Sequence, residues 1–149
     1  MFERTKAIYI LILLWLALST IFVIWGGYSL KIVLDIPTWV ELKEILLSIL
    51  YFGYTMSAIV WFVFSSLFLI FAYGTFRRES WVWTTGLIIT TIFLAVFGLM
   101  LASFMVTAIV YPNIFSVGGL ITTVLSFLID LGIVFYLTRP VVKIYFEKT

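Results

Sequence analysis

Asp130 is the only charged residue between Glu79 and Arg139, inside a stretch that is otherwise long and apolar. A carboxyl group there has three chemistries open to it. It could donate a neutral hydrogen bond between helices, relay a proton or cation, or pair with a cation on another subunit. Ser116, Gly119, Thr123 and Ser126 precede it at steps of 3, 4 and 3, with a further 4 to Asp130, which keeps all five on one helix face. No apolar stretch offers a Lys, Arg or His to pair with it. The carboxyl is therefore expected to be held neutral as a hydrogen-bond donor. Its acceptor would be a hydroxyl or carbonyl on a neighbouring helix, or a group on a partner. Thr123, Ser126 and Asp130 are the candidate intramembrane polar contact.

The remaining chemistry is sparse. Membrane hydrolases and transferases need paired carboxylates, a metal cluster or a nucleophile beside a base. The sequence has no His and no Cys, so its own side chains cannot supply an imidazole ligand to haem, an iron–sulfur cluster or a disulfide. Ser65-Ser66 and the paired threonines have no activating base. Asp35, Glu41 and Glu44 could approach a cation, but Thr38 and Glu41 also have the spacing of a capping box, with a helix starting near Trp39. The chain is expected to be no enzyme, with no cofactor held by its own ligands and no metal site. A net charge of +2 gives no reason to expect nucleic-acid binding.

The elements that must position Asp130 follow from composition. Hydrophobic residues make up 64% of the 149 and charged ones 11%, well under the roughly 25% of a soluble domain. A helix needs about 20 apolar residues to cross the hydrocarbon. Charges bracket apolar runs at 7–30 and 45–76. The uncharged stretch after Glu79 is too long for one helix and is interrupted by Tyr111-Pro112-Asn113, which divides it into spans at 81–110 and 114–138. The first run is too long for a signal peptide and reads as a retained span. Continuous apolarity argues against barrel strands, which alternate. The expectation is an all-α polytopic membrane protein: one domain over 1–149, a compact bundle of four transmembrane helices. An outer loop spans 31–44 and an interfacial tail spans 139–149.

Arg4, Lys6, Arg77, Arg78, Arg139, Lys143 and Lys148 fall on one side, and only Lys31 and Lys43 on the other. The positive-inside rule places both termini in the cytoplasm of a cell-membrane protein. Trp15 and Trp61 lie near mid-depth and are expected in the core. Small or hydroxyl stripes mark candidate packing faces: Ala17, Thr20 and Gly27; Ala58, Ser65 and Ala72; Thr91, Ala95, Gly98 and Ala102; and the Gly119 face of Asp130.

The second half carries Ala72-Tyr73-Gly74, then Arg77-Arg78 and Trp81-Val82-Trp83. It closes on Tyr136-Leu137-Thr138-Arg139-Pro140, Val142-Lys143 and Tyr145-Phe146. Over roughly 72–146 this resembles a widespread group of uncharacterised four-span membrane proteins, many archaeal, ending in a Y-L-T-R-P-x-V-K-x-Y-F pattern. Val141 and Glu147 depart from it, where a polar residue and Gly are common. The resemblance implies the four-span fold and no activity. By its own chemistry the tail suits a short helix in the interface. Arg77, Arg78, Arg139 and Lys143 are candidate lipid-headgroup contacts.

Two functions remain to be weighed. One is a non-catalytic accessory subunit of a larger membrane complex, packing through its helices against other subunits or against itself. The alternative is a small oligomeric transporter or channel using Asp130.

Overall fold

The computed structural model describes residues 2–35, 44–114 and 116–147, with side chains for 5–35, 48–113 and 116–147. The helices are α1 (Phe2–Asp35), α2 (Glu44–Arg77), α3 (Ser80–Val110), α4 (Val117–Leu137) and α5 (Pro140–Glu147). The first four are long and apolar enough to cross a membrane. The Thr38–Glu41 capping box and a helix start near Trp39 lie outside the described residues.

The helix breaks have local causes. Pro112 cannot continue α3 and opens a 3-10 turn over Pro112–Ile114. The fourth helix therefore starts at Val117 rather than 114. Ser116 caps it by accepting from the Gly119 N–H at 3.1 Å. At the end of α2, Glu79 N–H donates to Gly74 O at 2.9 Å and Arg78 N–H to Thr75 O at 3.2 Å. This is the paired closure of a Schellman motif. Arg78 occupies its left-handed position, with φ 64°.

α1 is the central helix. It packs against α2, α4 and α5, while α3 packs chiefly on α4 and only thinly on α2. The core is a cluster of rings. Trp15 lies 4.9 Å from Phe71 and 5.6 Å from Phe68, and Phe22 lies 5.3 Å from Phe68 and 5.5 Å from Phe93. Trp15 is fully buried. Trp61 is half-buried, 5.2 Å from Phe22, and its indole N–H donates to Ser57 Oγ at 3.1 Å. Two serine pairs bridge α1 to α2 among the described residues, Ser29 with Ser57 at 3.3 Å and Ser19 with Ser65. The Ser19 and Ser65 hydroxyls lie 2.9 Å apart, and Ser65 also donates to Ser19 O at 3.1 Å.

Ring packing reassigns two of the small-residue stripes. On α2, Ala58, Ser65 and Ala72 are buried, and on α4 the buried face is Thr123, Ser126, Asp130, Ile133 and Leu137. On α1, by contrast, Thr20 and Gly27 are exposed, because Leu11, Trp15, Leu18 and Phe22 take the inward positions. On α3, Thr91, Ala95 and Ala102 are exposed while Val82, Gly86, Thr90, Phe93 and Phe97 face inward.

Candidate functional site

Asp130 sits on α4 at zero exposure, one helical turn beyond Ser126. Neither of its carboxyl oxygens has a hydrogen-bond partner among the described residues. The hydroxyls expected nearest to it are already engaged. Thr123 Oγ1 donates to Gly119 O and Ser126 Oγ to Thr122 O, each at 2.8 Å. A hydroxyl in an apolar helix satisfies itself most readily on the carbonyl one turn back. The stripe thus shares a face with Asp130 without bonding to it. Gly119 serves packing, since a Cβ there would lie 2.9 Å from the Phe104 ring.

The other unpartnered buried side-chain atom among the described residues is the indole N–H of Trp15 on α1. Sequence reasoning placed Trp15 in the core and had no means of seeing that its N–H would go unpaired. Periodicity reports which face is buried, and leaves open what lies opposite.

Lys6, Arg77, Arg78, Arg139 and Lys143 gather at one end of the bundle. The start of α1, the α2–α3 turn and α5 meet there, and Tyr145 Oη donates to Thr75 O at 3.0 Å. Each of the four candidate headgroup residues lies against an aromatic ring. Arg77 Nε donates to Tyr73 Oη at 2.8 Å. The Arg78 guanidinium lies 4.9 Å from the centre of the Tyr145 ring, and that of Arg139 lies 4.5 Å from Phe135. Lys143 lies 5.4 Å from Trp83 and pairs with Glu147 at 3.6 Å. The tail does form a short helix, but its apolar residues divide. Val142, Tyr145 and Phe146 are buried against the bundle, while Val141 and Ile144 are exposed.

Two clefts flank the start of α1. One, of 420 Å³, is lined by Thr5, Ile8, Tyr9, Ile12, Phe76, Arg78 and Tyr145. The other, of 230 Å³, is lined by Lys6, Ala7, Ile10, Tyr136, Arg139 and Val141. A third, of 310 Å³, lies where α2 and α3 part and is walled by apolar residues, among them Trp61, Phe64, Phe93 and Val96. Asp130 lines none of the three. Among the described residues no cluster of His, Cys, Asp or Glu could hold a metal ion. Compared with known proteins, the chain matches no family model, no curated protein and no solved structure.

Proposed function

We infer that the chain is a non-catalytic packing subunit of a larger assembly in the cell membrane, with both termini in the cytoplasm. The outward face of α3 carries this reading. Ile88, Thr91, Ala95, Gly98, Ala102, Met105 and Ile109 step by 3 and 4 along one face. Gly98 is half-buried and the other six are exposed. Only 11% of the apolar window of α3 is buried, against 39% in α1. Such spacing suits left-handed packing, and small residues at its centre let another helix approach closely. Between helices in lipid this is an association surface, because lipid-facing positions gain nothing from small side chains.

The seam can be tested with the full chain. Purified in mild detergent, the wild type should elute with a partner in fixed proportion, either another subunit or a second copy. Ala95→Leu, at an exposed position of the same seam, should lose that partner at least tenfold more readily while keeping its own melting temperature. A wild-type monomer in native membranes would overturn the reading.

Orientation rests on the sharing of one end by Lys6, Arg77, Arg78, Arg139 and Lys143. Reporters fused after Glu79 and at Thr149 should read cytoplasmic, and one near Asp35 external. The same side for Asp35 and Glu79 would overturn the topology. The likeness to small four-span membrane proteins agrees with this proposal and adds no activity to it.

The second reading, an oligomeric transporter or channel, is favoured by one observation, the unpartnered carboxyl of Asp130. A buried polar group held without a partner costs stability, and ionisable groups inside membranes are found in ion pathways and proton relays.

A further inference from the structure

We propose that Asp130 is a proton-binding site reached from one end of the bundle only, through the cleft between α3 and α4 at the Pro112 turn and past the ring of Phe104. The proposal rests on the second reading above and deepens it by naming the ion and its route.

The two directions along the buried face of α4 differ in chemistry. Toward the Pro112 turn the face carries Ser126, Thr123, Gly119 and Ser116, the last about 21 Å from Asp130 along the helix. Toward the other end it carries Ile133 and Leu137, both at zero exposure. Beyond them lie the buried Val142 and Phe146 of α5, and the Trp83 indole N–H donates to Leu137 O at 2.8 Å. Hydroxyls can pass a proton and hydrocarbon cannot, so the face is conductive on one side of Asp130 and sealed on the other.

The hydroxyl side leads to a cleft. This cavity, of 240 Å³, is lined by Met100, Ser103, Phe104, Thr107 and Ser116, and Ser103 and Ser116 are exposed. Its inner wall is the Phe104 ring, which lies over Gly119 so closely that a Cβ there would be 2.9 Å from it. Behind the ring come Thr123 and Ser126, each 1% exposed, and then Asp130. Both hydroxyls donate to carbonyls of their own helix, and each oxygen keeps a lone pair with which to accept. The ring thus stands as a gate between the cleft and the buried carboxyl.

The ion follows from the ligands. A metal cation needs several oxygens around it, whereas neither carboxyl oxygen of Asp130 has a polar partner among the described residues. A proton needs one oxygen. No other titratable group among the described residues faces Asp130. α3 has none that is charged, and α1 has none from Ala7 to Leu30. Tyr9 and Tyr28 on α1, and Tyr51, Tyr54 and Tyr73 on α2, are exposed. Arg77 bonds to Tyr73, Lys143 of α5 pairs with Glu147, and Tyr145 bonds to Thr75 O.

The test uses the full chain in phosphatidylcholine nanodiscs. After a rapid pH jump, the carboxylic acid C=O band is followed by infrared spectroscopy, and its absence in Asp130→Asn assigns it. Thr123→Val keeps the side chain's shape and removes the hydroxyl, and it should slow the band's response about tenfold, the effect of one lost hydrogen bond. Should that variant not fold, Ser126→Ala should slow the response likewise. Phe104→Ala removes the gate and should speed the response by about as much. Leu137→Met, on the sealed side, should respond as wild type. If the band titrates but the hydroxyl and Phe104 variants respond at the wild-type rate, the route is overturned and the second reading stands without it. Slowing in Leu137→Met equal to that in Thr123→Val would overturn the one-sided access. If folded wild type shows no titrating band that Asp130→Asn removes, the proton site and the second reading fall together.

Discussion

Trp15→Ala should be the most damaging single substitution in the bundle, lowering unfolding free energy in detergent by about 3–5 kcal/mol. Trp15 is fully buried where α1 meets its neighbours, against Phe68 and Phe71. Its ring also fills the space that Gly86 leaves open, since a Cβ on Gly86 would lie 3.2 Å from Trp15 Cζ2 and 3.7 Å from Leu137 Cδ1. Truncation would open a cavity at the meeting point of three helices. Lipid tails are as apolar as the lost ring, so the cost comes from lost contacts rather than from water. Trp15→Phe should cost much less, because it keeps a ring and removes an N–H that bonds to nothing among the described residues. Thermal unfolding of the two variants checks this. A loss under about 1 kcal/mol for Trp15→Ala would show that the ring cluster does not organise the bundle.

Asp130 should behave in the opposite way. Both of its oxygens are buried and without a partner among the described residues, so an apolar replacement removes a desolvation cost and breaks no bond seen there. Asp130→Leu is expected to stabilise the protein by about 1–3 kcal/mol. Asp130→Asn should leave stability near wild type, since an amide of the same shape meets the same surroundings. Both variants should still bind the partner through α3 if the packing-subunit reading holds. If Asp130→Leu melts below wild type while Asp130→Asn does not, the carboxyl does hold an interhelical hydrogen bond. If both variants assemble normally and both fail to dissipate an ion gradient that wild type dissipates in liposomes, the relay reading replaces the subunit reading.

Much of this architecture was legible in the sequence because its determinants are local. Span number depends on uncharged length against a fixed bilayer thickness, and the breaks depend on Arg77-Arg78 and Pro112. The burial of Asp130 was legible for a similar reason. Its stripe with Thr123 and Ser126 runs in steps of 3 and 4 on one helix, and a carboxyl facing lipid is too costly.

Only the tertiary structure decided which faces of α1 and α3 turn inward. Those helices are apolar all round, so periodicity carries no signal about their orientation. The bundle settled it by volume, placing Trp15, Phe22, Phe93 and Phe97 where rings could meet and turning Thr91, Ala95 and Ala102 outward. The docking of Tyr145 on Thr75 depends on a contact 70 residues apart in the chain. The seat of Arg78 depends on that docked ring, and the isolation of the Asp130 carboxyl depends on what other helices bring to it. Local composition can state that a group is buried, but its partners are chosen by helices that meet only when the chain is folded.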